Sequence, residues 1–384
     1  MSVWENALTA LRHEEPRTVP VVLWVYGPVL KRYLGVSEYE YYQDVRLQLE
    51  AKAAFQRRFP ETLNLYMVPE YAGMGIIPTA FGAKVRWMRD SPPWITSLPI
   101  QEPEDVDRLV ESGIPDPEED GVAPENLRRY EYFYDWFPRD LREDYGYVDG
   151  WVYTSLCVEG AALAMGYDRF LVWMRLHPEV LHRWLRLATD FLLRYCSAVE
   201  DRVGRCRVLV VADHTASMMG RRHFEEFVLP YLNKVFKRYP RAVKVWHNEG
   251  SVRHMLGSVD KVEADVWHFG ASDPPARCKT ETHFCLMGNL HPPSFARKTP
   301  RQVEEECRRL IVEAAYGGGF WLSTGGGMAS DTPLRNVETM VKVAEDYGRY
   351  PKRFRAQLRP GLARSEKSYL GLGRGWYAYA WSSG

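Results

Sequence analysis

The residues best suited to chemistry are a histidine and a glutamate separated by a single position. His247 and Glu249 lie in the run WHNEG, at the end of an apolar segment typical of a buried strand. Alternate residues of a strand point to one side, so both side chains can reach one point. An imidazole and a carboxylate suit Zn²⁺ or another divalent cation. We predict a metal site here, with Asp213 on a neighbouring strand as third ligand, and assign catalytic roles to the three residues.

The same pair also has a purely structural interpretation. His247 would then bond to a nearby carboxylate, while Glu249 would cap the next helix or pair with an arginine. Two candidate ligands do not decide between these alternatives.

A glycine run at 325–327 is the second feature. It would let a ligand approach the backbone closely and offer N–H groups to an anion. It matches neither common nucleotide-binding pattern, and a tight strand-to-helix turn explains it as well.

Other polar and aromatic residues are expected near the ends of the predicted strands. Isolated histidines in such places include His268 and His283, and they are more often structural than catalytic. The residues that we predict to contact a substrate are Trp24, Tyr26, Glu70, His214, Asn289, His291 and Gly326.

Eight short apolar runs predict the strands that would position these residues. Helical spacing lies between most of them, which favours a parallel sheet with right-handed crossovers. Eight units favour closure into a barrel, and a doubly wound open sheet is the alternative. The predicted strands are 19–25, 62–68, 151–155, 208–213, 243–249, 264–270, 284–288 and 320–324.

The predicted fold class is therefore α/β, a (β/α)8 TIM barrel with an N-terminal hairpin and helical insertion. Residues 80–99 are expected to form the hairpin, and 102–149 is a charged, proline-bearing segment. We expect residues 1–350 to form the barrel and 351–384 to be a C-terminal extension packing on it. Barrel enzymes carry their sites at the C-terminal ends of the strands. The predicted helices are 38–59, 167–203, 224–239, 300–316 and 333–347.

Composition narrows the class of protein. Of 384 residues, 46% are hydrophobic, which is enough for a large core, and 50 basic residues balance 50 acidic ones. This balance gives no reason to expect nucleic acid or a membrane surface as partner. The six cysteines are scattered without a C-x-x-C pair, so we expect free thiols in a reducing compartment. The start resembles no signal peptide, and a cytoplasmic protein is expected.

Motifs at the strand ends resemble those of the uroporphyrinogen-decarboxylase-like superfamily, especially its corrinoid-dependent methyltransferase branch. Residues 211–217 and 224–231 resemble that branch's D-P-T-A-S and F-E-E-F-v-l-P-y stretches. Residues 287–292 resemble G-N-x-D-P, and 325–337 resemble the ending G-[HC]-G-I-x-x-D-T-P-x-x-N-V. The resemblance covers roughly residues 5–350. It implies a (β/α)8 barrel with the site at the strand C-termini.

Two departures bear on the reaction. The decarboxylases carry an arginine-rich loop after the first strand, where this chain has WVYGPV at 24–29, and they carry G-H-G where it has three glycines. A substrate with many carboxylates needs several fixed cations, so we expect no porphyrinogen decarboxylation. In the methyltransferase branch, H-x-C and a later cysteine bind zinc. Here His247 matches, Glu249 replaces the first cysteine, and Gly326 stands at the second.

The resemblance and its departures together predict a metal-dependent methyltransferase. An all-nitrogen and oxygen donor set makes a harder ion, which suits polarising an ether oxygen better than activating a thiol. The expected cofactors are a divalent metal, with zinc first, and a corrinoid. No D-x-H-x-x-G signature occurs, so a separate partner protein would carry the corrinoid.

The substrate is expected to be small, and a methoxylated compound is attractive. Two alternative functions stay open: a decarboxylase or lyase of a small acid, and a non-catalytic relative that kept the barrel. For the assembly, a homodimer is one arrangement that the sequence allows.

Overall fold

The protein is built around eight parallel strands. The computed structural model describes residues 2–155 and 157–350. The sheet order is β2-β1-β10-β9-β8-β7-β6-β5, so that strands consecutive in the βα series lie side by side. The strands are β1 (Val21–Leu23), β2 (Thr62–Asn64), β3 (Val85–Arg86), β4 (Trp94–Ile95), β5 (Trp151–Ser155), β6 (Val208–Ala212), β7 (Val243–Asn248), β8 (Val266–Phe269), β9 (Cys285–Leu290) and β10 (Phe320–Thr324).

Helices follow the strands on the outside of the sheet. Strands covered on both faces are apolar throughout, as in β6, where all five residues are buried. The helices are α1 (Val3–Leu11), α2 (Gly27–Leu34), α3 (Glu38–Gln43), α4 (Val45–Arg58), α5 (Ile76–Ala80), α6 (Pro103–Ser112), α7 (Ala123–Trp136), α8 (Arg139–Tyr145), α9 (Cys157–Met165), α10 (Tyr167–Leu176), α11 (Pro178–Val203), α12 (Arg221–His223), α13 (Leu229–Arg238), α14 (Leu256–Val259), α15 (Pro275–Glu281), α16 (Pro292–Arg297), α17 (Pro300–Ala314) and α18 (Leu334–Tyr347).

The predicted (β/α)8 fold is confirmed, with one seam made by side chains. The two ends of the strand order, β2 and β5, are bridged by tyrosines. The N–H of Asn64 donates to the Tyr147 hydroxyl at 2.8 Å, and the N–H of Tyr153 to that of Tyr130 at 3.3 Å. The Tyr66 and Tyr153 rings also meet edge to face, with centroids 4.4 Å apart. These hydroxyls satisfy backbone groups that a strand partner would otherwise take.

Two of the predicted helices are each divided in the structure. The first is broken at Asp44, whose backbone is extended and whose side chain caps α4. The second is broken at His177, because Pro178 follows it and a proline disfavours helical geometry in the preceding residue. The predicted helix 224–239 is a π-helical stretch at Phe224–Val228 followed by α13. The last two predicted helices correspond to α17 and α18, with ends shifted by one or two residues.

The insertion has the predicted hairpin and three further helices. Strands β3 and β4 pair antiparallel within 80–99, and α6, α7 and α8 occupy 102–149. The C-terminal extension predicted for 351–384 lies outside the described residues. Among the helices that the structure describes, none combines the length and apolar character needed to cross a membrane.

Register shows which side chains fill the barrel. His247 on β7 pairs in register with Ala212 on β6 and His268 on β8. Residues in register on parallel strands face the same side. Trp24, just after β1, stacks on the His247 ring. A layer of aromatic and imidazole side chains therefore occupies the C-terminal end of the barrel interior. In most barrels of this fold, branched aliphatic residues fill the interior.

Candidate functional site

His247 is held at the centre of this layer by two neighbouring rings. It is buried, and Trp24 stacks on it with centroids 4.5 Å apart and planes at 19°. Its Nδ1 is 2.8 Å from Nδ1 of His268. Burial, together with the nearby His268 and His214, holds the pKa of His247 well below its ordinary value. The ring is therefore neutral near pH 7, as a metal ligand must be.

His214 lies beside His247, just beyond the end of β6. Its backbone N–H donates to Oε2 of Glu159 at 2.8 Å, and its Nδ1 is 2.9 Å from the same oxygen. Glu159, on α9, is buried and also accepts from the Tyr167 hydroxyl at 2.8 Å. Since a carboxylate accepts, Nδ1 of His214 carries the hydrogen. Its Nε2 is left facing Glu249, with Oε1 3.6 Å away.

His214, His247 and Glu249 form the group that could hold a cation within the described part of the chain. One ligand atom from each lies within 4.8 Å of the others. Two nitrogens at a zinc–ligand distance of about 2 Å in a tetrahedral shell would be about 3.3 Å apart. The 3.6 Å between Nε2 of His214 and Oε1 of Glu249 is close to this spacing, and the ligand atoms of all three residues lie within 4.8 Å of one another. A set of two imidazoles and one carboxylate fits zinc with a position left for substrate.

Gly326 provides the space for the Glu249 carboxylate. A Cβ placed on Gly326 would lie only 1.8 Å from Oε2 of Glu249, and the glycine has φ +133°, which side chains rarely adopt. The longer glutamate thus reaches the place where a side chain at position 326 would begin. This is the structural counterpart of the two departures in sequence, Glu249 and Gly326.

Asp213 adjoins this group but is not one of its three members. Its Oδ1 accepts from the Thr215 N–H and hydroxyl at 2.9 and 2.6 Å, while its buried Oδ2 has no hydrogen-bond partner. Burial and the charge of Glu159 raise the pKa of Asp213 to about 6. The structure therefore places His214, rather than the expected Asp213, with His247 and Glu249.

The charge of His214 reflects the acidic side chains around it. Burial alone would lower its pKa, but the hydrogen bond to Glu159 and the charges of Glu159, Glu249 and Asp213 raise it to about 9. Burial also raises the pKa of Glu249. The site thus concentrates carboxylates around one imidazole, so His214 is protonated near pH 7 in the metal-free protein. A cation bound at Nε2 would take the place of that proton and face the same carboxylates.

Aromatic side chains line one side of the site. Trp24 contacts Tyr66 and Tyr153 with centroid distances of 5.6 and 5.8 Å. Tyr26 packs on Tyr66 at 5.9 Å, and a Cβ on Gly327 would collide with its ring at 2.3 Å. Burial and the charges of Glu249 and Glu70 raise the pKa of Tyr26 to about 12, so its hydroxyl stays protonated.

Glu70 occupies a fully bonded position below the loop after β1. Lys52 donates to its Oε1 at 2.6 Å and Tyr41 at 2.8 Å, while the Gly27 N–H donates to Oε2 at 3.0 Å. Both charged side chains are buried. Glu70 therefore anchors the segment that carries Trp24 and Tyr26.

The remaining two predicted contacts lie on the segment around the end of β9. Asn289 is buried and donates to the carbonyls of Gly270 and Asp273 at 3.0 and 2.9 Å. His291 is exposed at the start of α16, with Nδ1 2.7 Å from the Ser294 hydroxyl. Both side chains thus have local partners, and a role in binding substrate stays a prediction.

Comparison with known proteins identifies the family of this chain. The family model described as "Uroporphyrinogen decarboxylase (URO-D)" matches residues 4–347. The chain belongs to this family. A uroporphyrinogen decarboxylase from Danio rerio is 24% identical over 313 residues, which are 76% of this chain and 78% of that protein.

Methyltransferases are also among the similar proteins. A methylcobamide:CoM methyltransferase from Methanosarcina acetivorans is 28% identical over 179 residues, 44% of this chain and 50% of that protein. The solved structure of a methyltransferase from Methanosarcina mazei superposes with a TM-score of 0.73 at 21% identity, covering 90% of this chain and 99% of that one. At this identity the superposition shows the shared fold, and it confirms the predicted barrel.

The sequence interpretation misses Glu159, which lies in an apolar helix and carries no motif. It names His268 only as an isolated histidine near a strand end and gives it no role in the site. The observation that brings His268 into the site is its register with His247 on the neighbouring strand. This register depends on how the strands pair, and the spacing of residues along the chain does not give that pairing.

Proposed function

We propose that this protein is a metal-dependent methyltransferase that moves a methyl group from a small methoxylated substrate to a corrinoid carried by a partner protein. The observation that carries the proposal is the convergence of His214, His247 and Glu249 at the C-terminal ends of the strands. A divalent metal held there would act as a Lewis acid toward the ether oxygen. The methyltransferases among the similar proteins support the same class of reaction.

The chain's own residues prepare this site in three ways. Glu159 orients His214 through Nδ1, as second partners of metal-binding histidines commonly do. Trp24 covers one face of His247 and keeps water from it. The protonated hydroxyl of Tyr26 offers a hydrogen-bond donor beside Glu249.

The reaction also needs a proton for the departing oxygen. When the carbon–oxygen bond breaks, the ether oxygen keeps the bonding electron pair and becomes a hydroxyl group by taking up a proton. The methyl group would pass to a Co(I) corrinoid that acts as a substrate. Asp213 is suited to hold that proton, because its Oδ2 is buried without a partner, and burial raises its pKa to about 6.

Methyl transfer can be measured directly with free cobalamin. Zinc-loaded protein is mixed anaerobically with cob(I)alamin and a panel of methoxylated aromatic acids, and the conversion of cob(I)alamin is followed by absorbance. We expect turnover with at least one ether, loss of turnover in His247→Ala, and normal turnover in Cys285→Ser, a buried thiol on β9. Equal rates in wild type and His247→Ala would contradict the proposal.

A lyase of a small carboxylic acid is the second candidate. The observation that favours it is Asp213, a buried acid with a free oxygen, in a family that includes decarboxylases. Release of CO₂ from small acids, lost in Asp213→Asn and retained without any metal, would support this alternative over methyl transfer.

A further inference from the structure

His268 lies directly beside His247 but is not one of the three candidate ligands. The two residues are in register on β7 and β8, both are buried, and their Nδ1 atoms are 2.8 Å apart. At this distance one Nδ1 carries a hydrogen and the other accepts it, because two protonated or two bare nitrogens would repel. The pair therefore has two arrangements, which differ in which ring donates.

The second nitrogen of His268 selects between them. Its Nε2 is 2.8 Å from the carbonyl oxygen of Thr324, and a carbonyl only accepts, so this Nε2 carries a hydrogen. A neutral imidazole has one N–H. A charged ring, fully buried among His247, Trp24 and a carbonyl, would lack a counter-charge. Nδ1 of His268 is therefore bare and accepts from His247.

A competing contact does not reverse this assignment. The N–H of Gly326 is 3.2 Å from the same Nε2 of His268. If it donated there, Nε2 would be bare, and its lone pair would face those of the Thr324 oxygen at 2.8 Å. The longer contact is the weaker one, and the carbonyl decides the tautomer.

We propose that His268 is a positioning residue that fixes the hydrogen of His247 on Nδ1 and leaves Nε2 as the nitrogen that binds a cation. Without such a partner, the neutral His247 ring is free to carry its hydrogen on Nε2, where it would block the ligand position. The backbone of Thr324 on β10 thereby sets the tautomer of a ligand on β7, three strands away in the sheet. This inference rests on the proposed metal site for its purpose, but the tautomer itself can be measured without metal.

The experiment is long-range ¹H–¹⁵N correlation of the histidine rings in chelator-treated, ¹⁵N-labelled protein, with His247 assigned from its missing signals in His247→Gln. We expect the wild-type His247 to carry its hydrogen on Nδ1. In His268→Leu, which offers no acceptor, a substantial share of His247 should move to the Nε2–H form. In His268→Asn, whose side-chain oxygen can take the place of Nδ1, the wild-type tautomer should be retained. Zinc affinity should fall about 10-fold to 100-fold in the leucine variant and recover in the asparagine variant.

His283→Asn is the matched control. His283 also bonds a carbonyl through Nε2, that of Ala264 at 3.0 Å, but it precedes β9 at the opposite end of the barrel. This variant should leave the His247 signals unchanged. Wild-type His247 with its hydrogen on Nε2 would overturn the inference even if His268→Leu did not fold. The predicted tautomers without any zinc binding would uphold the inference and contradict the proposed function.

Discussion

A Cβ atom on Gly326 would lie 1.8 Å from Oε2 of Glu249, so the glycine and the carboxylate share one space. The two positions are 77 residues apart in sequence and belong to different strand-end loops. Each stands where the resemblance to the methyltransferase branch implies a cysteine, and the structure shows that side chains at the two positions compete for one space. A side chain at 326 is incompatible with the present position of Glu249.

This coupling predicts the behaviour of Gly326→Ala. The new methyl group must displace the Glu249 carboxylate, and the backbone φ of +133° adds strain of about 1–3 kcal/mol. We expect zinc affinity, measured by competition with a chromophoric chelator, to fall about tenfold or more. In a Glu249→Ala background the same change should cost less, because the collision is gone.

Gly257→Ala is the control for this prediction, since a Cβ on Gly257 in α14 meets no atom within 4 Å. It should leave zinc affinity unchanged. If Gly326→Ala bound zinc as well as Gly257→Ala, Glu249 would not be a ligand in the position described.

Glu159→Gln should change both the titration of His214 and the pH dependence of folding. The hydrogen bond and charge of Glu159 contribute to raising the pKa of His214 to about 9, above its ordinary 6.5. In metal-free protein, this stabilisation is complete below pH 6.5 and is lost as the pH rises toward 9. The variant should show a lower His214 pKa by NMR and a smaller loss of stability between pH 6.5 and 9.

Urea unfolding of both proteins at several pH values checks this prediction. The difference between them isolates the Glu159 contribution from other titrating groups. An unchanged His214 pKa in the variant would contradict the assigned contact.

Lys52→Met should destabilise the protein strongly. Lys52 and Glu70 form a fully buried ion pair at 2.6 Å, and removing one partner leaves a buried charge, which costs about 3–5 kcal/mol. Arg46→Met removes an exposed pair with Glu50 on the same helix, where about 0–1 kcal/mol is expected. Equal free energies of unfolding for the two variants would contradict a stabilising contribution of Lys52 to the buried pair with Glu70.

Uroporphyrinogen should not be turned over. The segment after β1 supplies Trp24 and Tyr26 where cations would be needed, and Glu159, Glu249 and Asp213 make the site acidic. Anaerobic incubation with uroporphyrinogen, with the Danio rerio decarboxylase as positive control, should give no coproporphyrinogen. Formation of that product at an enzymatic rate would reverse this conclusion.

The fold can be predicted from sequence because each barrel strand is a short apolar run and helical spacing lies between most of these runs. The bounds of β5 and β10 are predicted to the residue, while β1 and β2 are shorter than predicted. The chain enters a turn at Leu65 directly after β2. The broken helices at Asp44 and His177 show where capping and proline chemistry outweigh a continuous apolar pattern.

The site was only partly predictable, for a local reason. The sequence predicts that β6 runs through Asp213, which would place this carboxylate at the rim. The strand ends at Ala212 instead, and Asp213 turns back to cap the Thr215 N–H. His214 then takes the place beside His247 and Glu249. Alternation along a strand stops being informative at the residue where the strand ends.

The most direct test of the account is the metal content of purified protein. Wild-type protein and single variants are incubated with excess Zn²⁺, passed through a desalting column and analysed by elemental mass spectrometry. We predict close to one equivalent in the wild type and in Cys285→Ser, strong loss in His247→Ala and His214→Ala, and weakened retention in Glu249→Gln. Less than about a tenth of an equivalent in the wild type, with Mn²⁺ and Co²⁺ giving the same result, would contradict the metal site and the methyl transfer built on it.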